Sequence, residues 1–152
     1  MSNISRKEKA IALFKEGYNC SQAVVLAFSD LIDIDEKQLK KLAGSFGGGM
    51  GRLREVCGAV SGMFMVAGLL YGYDDPCDSE AKKEHYALIQ RLAKVFEEKT
   101  GSIICRTLKG LDKGPDDPAP EPRSEAYYNK YPCAELVGLA AEIMDREIQS
   151  RN

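Results

Sequence analysis

Apolar residues recur at helical spacing along most of the chain. Ile11, Leu13 and Phe14 lie between Ser5 and Gly17, which predicts a first helix from about Ser5 to Glu16. Ala23, Val24, Ala27, Phe28 and Leu31 predict a second, from Cys20 to about Ile32, with Asn19 as its cap. Asp35 caps a third, Glu36 to about Ala43, carrying Leu39 and Leu42. The longest apolar run predicts a fourth, opening at Cys57. Ser79 opens a fifth that runs to about Lys99, with His85, Ile89, Leu92 and Phe96 on one face and Gly101 as its stop. A short sixth covers Ile103 to Leu108. Leu136, Leu139, Ala140, Ile143 and Met144 predict a last helix from about Ala134 to Ser150. Gly47 to Gly51 reads as a flexible turn. Gly110 to Arg123, with Pro115, Pro118, Pro120 and Pro122, reads as a loop. No segment alternates as a strand does, and there is no internal repeat. The expectation is an all-α, single-domain bundle of about six or seven helices with a Pro-rich loop, spanning residues 1–152.

Val56 to Tyr73 carries no charge and raises the question of a membrane span. It is rich in Gly and Ala, charges close both its ends, and no second such segment exists, so a buried central helix is the expectation. Gly58 and Gly62, then Gly68 and Gly72, are pairs of small residues four apart, which let another backbone approach. A hydrophobic content of 44% and a charged content of 29% are those of an ordinary globular protein. The net charge of −2 gives no broad basic face, so nucleic acid is not an expected partner. Met1 to Lys9 lacks the apolar core of a signal peptide, which leads to the expectation of a cytoplasmic protein.

In a reducing compartment, sets of cysteines more often bind metal or do redox work than form structural disulfides. There are five. Cys20, Cys57, Cys105 and Cys133 each fall where a loop hands over to a helix. A helix's first turn offers free N–H groups and partial positive charge, which favour a thiolate. No C-x-x-C spacing is present, so any shared site must be assembled from distant segments. Cys77 sits in an acidic turn with Asp74, Asp75 and Asp78 and is left out of the expected site. Arg52 and Arg54 precede Cys57 closely, and Cys57 is expected to have the lowest thiol pKa.

Several segments together resemble the C_GCAxxG_C_C family of redox-active proteins. They are Gly17-Tyr18-Asn19-Cys20-Ser21-Gln22-Ala23, Phe46-Gly47-Gly48-Gly49-Met50-Gly51-Arg52, Cys57-Gly58-Ala59-Val60-Ser61-Gly62, Gly101-Ser102-Ile103-Ile104-Cys105-Arg106, and Cys133. The family label writes Gly-Cys-Ala where this chain has Cys-Gly-Ala. The resemblance implies a redox role for Cys20, Cys57, Cys105 and Cys133. Related domains occur joined to multihaem cytochromes, which implies electron transfer with a partner protein.

The leading expectation is a small redox protein whose four cysteines converge at one end of the bundle. They hold an iron–sulfur cluster, or cycle between dithiol and disulfide. The alternative is a non-catalytic helical module with a closed zinc site or plain buried cysteines. Gly48, Gly49, Gly51, Arg52 and Gly58 are the residues expected around such a centre. The glycine run has no P-loop lysine, and its plain reading is a helix stop with a close backbone approach. His85, the only histidine, reads as a hydrogen-bonded residue at the edge of the core. Met63 and Met65 read as core filler. Wide apolar arcs on the second, fourth and last helices point to a homodimer.

Overall fold

The computed structural model describes residues 4–152; Met1, Ser2 and Asn3, which begin the segment lacking a signal-peptide core, lie outside them. Among the described residues the chain is all-α, with eight helices and no strand. They are α1 (Arg6–Lys15), α2 (Cys20–Leu26), α3 (Glu36–Gly44), α4 (Gly58–Tyr71), α5 (Ser79–Thr100), α6 (Cys105–Leu108), α7 (Glu125–Lys130) and α8 (Cys133–Ser150). Gly47–Met50 closes one turn of hydrogen bonds, but Gly48 and Gly49 are left-handed at φ 69° and 67°, so the segment is a turn and not a ninth helix.

Local chemistry accounts for the helix starts. Ser5 and Asn19 form capping boxes with Glu8 and Gln22, and Asp35 and Asp78 cap α3 and α5. Gly101, at φ 94°, ends α5. Helix α2 stops at Leu26, short of the expected Ile32, and a 3-10 turn, Ser29–Leu31, follows. The cause is distant in sequence: Arg6 Nη1 donates to Ala27 O at 2.8 Å and also binds Asp30, so the α1 arginine closes the end of α2. Helix α7 was not expected. Ser124 starts it by accepting from Tyr127 N at 3.2 Å.

Helix α2 is central and packs on α4, α3, α1 and α8, while α1 lies along α8. Val24, Val25, Phe28, Val60, Met63, Val66, Phe96, Val137 and Met144 form the buried core between these helices. The apolar arcs of α2 and α8 are therefore largely used inside the chain. Met63 is buried and Met65 packs on the core, as expected of filler. Of the glycine pairs, the first does what its spacing suggests. A Cβ on Gly62 would stand 2.8 Å from Ser21 O, so α2 and α4 touch backbone to backbone there. Gly68 meets nothing closer than His85 Nε2 at 4.0 Å. Among the described residues, no helix is long and apolar enough to cross a membrane.

Candidate redox centre

Three of the four cysteines are the first residues of their helices, Cys20 on α2, Cys105 on α6 and Cys133 on α8, and Cys57 is the cap of α4. These starts meet at one end of the bundle, where all four cysteines line a cavity of about 330 Å³. Their sulfurs feel one another: charge on Cys20 is opposed by Cys133 and Cys105, charge on Cys57 by Cys20 and Cys105, and charge on Cys133 by Cys105. All five cysteines are free, and Cys77 is exposed, outside the cavity lining.

Backbone pairing places Cys57 and Cys105. Cys57 N donates to Ile103 O at 2.7 Å and Cys105 N to Glu55 O at 2.5 Å, around a single antiparallel bridge between Val56 and Ile104. The glycine run fits against this bridge. Glu55 N donates to Gly49 O at 2.9 Å and Arg54 N to Gly48 O at 3.3 Å. A Cβ on Gly49 would stand 2.6 Å from Cys105 Cβ and 2.8 Å from Arg54 Cα, so only glycine permits the approach. The cap of α2 holds the other side. Asn19 Nδ2 donates to Gly44 O at 3.0 Å while its Oδ1 accepts from Gln22 N at 2.9 Å, and a Cβ on Gly47 would overlap the Asn19 side chain.

Two of the sulfurs have a side-chain donor. For the other two, the main-chain N–H groups of Gly48 and Ser21 favour charge on Cys20, and those of Ala59 and Val60 favour it on Cys57. Arg54 Nη1 lies 3.6 Å from Cys105 Sγ, and Tyr127 Oη donates to Cys133 Sγ at 3.8 Å. Burial nevertheless dominates three of the thiols. It pushes Cys20 up against the pull of those N–H groups, and pushes Cys133 up against Lys109 and Tyr127. Cys57, 6% exposed, is pushed well above the ordinary thiol range by burial and then by Cys20. The expected low pKa of Cys57 is therefore reversed. A helix start and nearby arginines in sequence are outweighed by desolvation.

The expected companions divide. Gly48, Gly51, Arg52 and Gly58 line the cavity, and a Cβ on Gly58 would overlap Cys20 Sγ. Gly49 is buried against Cys105 and is not part of the lining. Arg52 Nε donates to Asp117 O at 2.5 Å and its Nη2 is 3.8 Å from Asp116. Arg54, whose backbone is left-handed at φ 63°, bonds to Cys105 and not to the expected Cys57. His85 is remote from the sulfurs, beside a smaller cavity with Tyr71 and Arg151, and its buried Nδ1 lacks the expected hydrogen bond.

Sequence reading missed Lys109, Arg123 and Tyr127, all of which line the cavity with Pro118, Pro120 and Glu121 of the Pro-rich segment. Arg123 ties that segment down by donating to Phe14 O at 2.8 Å and Tyr18 O at 3.1 Å. Lys109 Nζ sits 4.0 Å from the centre of the Tyr131 ring. The available signal was Tyr127, Tyr128 and Tyr131 crowded just before Cys133, more aromatic than a solvated loop requires.

Among the described residues, no group of three or more His, Cys, Asp or Glu side chains is gathered closely enough to hold a metal ion. The four sulfurs share the lining of one cavity. The lining of this cavity combines four thiols, side-chain donors at two of the sulfurs and glycine clearance beside two of them. No curated protein and no solved structure matched the chain. A family model described as "Putative redox-active protein (C_GCAxxG_C_C)" matches residues 18–147, a span that contains all four cavity cysteines. The chain belongs to the C_GCAxxG_C_C family.

Proposed function

We propose that Cys20, Cys57, Cys105 and Cys133 act as the four ligands of one redox centre, an iron–sulfur cluster, and that the protein transfers electrons to and from a partner protein. The observation that carries this reading is the charge of the cavity. Arg52, Arg54, Lys109 and Arg123 line it with the four sulfurs, and two carboxylates, Glu121 in the lining and Asp116 paired to Arg54 at 2.8 Å, offset part of that charge. Two ferric ions, two sulfides and four thiolates sum to a dianion, and a surplus of fixed cations suits such a group. A cluster supplies reversible one-electron chemistry when bound. Hydrogen bonds to its sulfurs and limited solvent access set the potential, and both are features that this cavity offers. The lining includes no histidine and a single carboxylate, which favours electron transfer over proton-transfer catalysis.

One observation favours a second reading. The residue after Cys57 abuts Cys20 Sγ so closely that a Cβ on Gly58 would overlap it, which supports Cys20 and Cys57 as a dithiol/disulfide couple. Anaerobic expression with added iron distinguishes the two. A brown protein, with iron and acid-labile sulfide in equal amounts and visible absorption bleached by dithionite, is the expected result. A colourless protein that resists reconstitution and loses two hydrogens between Cys20 and Cys57 on oxidation would establish the second reading instead.

A further inference from the structure

Arg54 is the most deeply buried charge in the core, with 1% of its surface exposed. Its backbone is left-handed at φ 63°, a conformation that a long side chain adopts only when its surroundings enforce it. The enforcement is visible on both sides. Arg54 N donates to Gly48 O, and Arg54 O accepts from Arg106 N at 3.3 Å and from Arg106 Nη1 at 3.2 Å. The positive-φ glycines Gly48 and Gly49 leave room for this turn.

The guanidinium is only partly matched. Nε donates to Asp116 Oδ2 at 2.8 Å and Nη1 to Cys105 Sγ at 3.6 Å, while Nη2 is buried without a partner. Asp116 is itself 39% exposed and also faces Arg52 at 3.8 Å, so it serves two cations. The other cations of the cavity are committed elsewhere: Arg52 and Arg123 to carbonyl oxygens, and Lys109 to aromatic rings. A buried donor left unpaired beside a cavity calls for an acceptor, which solvent, an ion or a group bound in the cavity supplies.

We propose that Arg54 is the positioning and charge-compensating residue of the redox centre. Nη1 holds Cys105 Sγ, and Nη2 donates to a second sulfur anion carried among the four cysteines, a cluster sulfide or a partner thiolate. This rests on the reading of the four sulfurs as one centre, but not on whether that centre is a cluster. Reduction of a cluster adds negative charge beside a fixed guanidinium, and reduction of a disulfide adds it where a freed sulfur sheds its proton beside that guanidinium, so Arg54 favours the reduced form. With a cluster, dithionite supplies one electron and the site gains one negative charge. With a disulfide, dithiothreitol breaks the protein S–S bond, closes its own, and leaves one protein thiol and one thiolate beside Arg54, with one proton released to solvent.

The test is the midpoint potential of wild type, Arg54→Gln, Arg54→Lys and Asp116→Asn, each checked for folding by circular dichroism. A coloured protein is titrated with dithionite, and a metal-free one is equilibrated with dithiothreitol buffers and its thiols counted. Arg54→Gln is expected to shift the ratio toward the oxidised form at least tenfold at fixed potential, about 59 mV for one electron or about 30 mV for two. Arg54→Lys restores more than half of that shift. Asp116→Asn moves the potential the opposite way, because it removes the competing carboxylate. A merely structural arginine would move both variants in one direction. The proposal is overturned if Arg54→Gln stays within twofold of wild type, or if Arg54→Gln and Asp116→Asn shift alike. Should Arg54→Gln not fold, an Asp116→Asn potential unchanged from wild type overturns it equally. A protein that proves colourless refutes the cluster alone, since the thiol equilibrium still reads the Arg54 effect.

Discussion

Two glycine-to-alanine changes in the same helix should have opposite effects. Gly58 and Gly68 both lie in α4, and replacing either reduces the freedom of the unfolded chain by the same kind of amount, ~0.5–1 kcal/mol in favour of folding. At Gly68 nothing opposes this gain, because the added methyl meets only His85 Nε2 at 4.0 Å. At Gly58 the methyl would overlap Cys20 Sγ, and it would stand 2.9 Å from Phe46 O and 3.3 Å from Gly47 Cα. The sulfur can rotate aside, but the carbonyl belongs to the backbone of the glycine turn and cannot. Overpacking of this kind costs ~1–3 kcal/mol, which exceeds the gain. Gly68→Ala should raise Tm by ~1–4 °C and Gly58→Ala, at a net cost of ~0.5–2 kcal/mol, should lower it by ~1–8 °C, at ~2–4 °C per kcal/mol for a chain of this size.

The assay is thermal and urea unfolding of the reduced, metal-free proteins followed by circular dichroism, with iron and sulfide content after reconstitution as a second readout. Gly68→Ala should load like wild type. Gly58→Ala should load poorly, because the sulfur it displaces is one of the four facing the cavity. A Gly58→Ala protein as stable as Gly68→Ala, loading fully, would show that the start of α4 does not touch the glycine turn. The backbone framework of the site would then be wrong.

Three further outcomes follow from the same geometry. Cys77→Ser should keep the loading and redox behaviour of wild type and change stability by less than ~0.5 kcal/mol, since Cys77 is exposed and outside the cavity; a loss equal to that of Cys57→Ser would put Cys77 in the centre. Peptide-mapped alkylation of reduced, metal-free protein should label Cys77 first and Cys57 last, because Cys57 is 6% exposed and burial holds it as the thiol; early labelling of Cys57 would contradict that. Burial raises the Glu147 carboxyl, but ion pairs with Arg91 at 2.8 Å and Arg151 at 2.9 Å outweigh it and leave its pKa lowered. Its contribution is therefore present above the unfolded value near ~4.3 and lost as pH falls through the folded one. With both arginines half exposed, Glu147→Gln should cost about 0.5–1 kcal/mol at neutral pH and nothing in strong acid, read from urea midpoints at each pH; a pH-independent gap would exclude the ion pairs as its cause.

The helices were legible because their signals are local. Apolar spacing and the caps Ser5, Asn19 and Asp35 lie within a few residues of what they determine. So were the positions of the four cysteines at helix starts, and hence their meeting at one end of a bundle. What escaped was set from a distance. The end of α2 is fixed by Arg6, 21 residues before Ala27. Arg54 bonds to a sulfur 51 residues away from a left-handed backbone position that its own sequence neighbours do not announce. Helix α7 is six residues long, too short for a periodic pattern, and stands between Pro122 and Pro132. The charge state of Cys57 failed for the same reason. The helix-start argument is local and favours a thiolate, but burial is a property of the assembled core and acts more strongly.

The site is thus held by two kinds of force, and they divide the sulfurs into pairs. Cys57 and Cys105 are stitched together by main-chain hydrogen bonds around Val56 and Ile104, so their separation is fixed by backbone geometry. Cys20 and Cys133 stand at the ends of α2 and α8, and their placement depends on how those helices pack on α1 and α4. The glycine turn meets both sets, giving a carbonyl to Glu55 on one side and, through the Gly48 N–H, favouring charge on Cys20 on the other. A turn with side chains could not do this, since Gly47 is closed against Asn19 and Gly49 against Cys105 and Arg54. The glycines between α3 and α4 are therefore best understood as the spacer that lets a packing-determined pair and a backbone-determined pair of cysteines face one cavity, with Arg54 admitted between them.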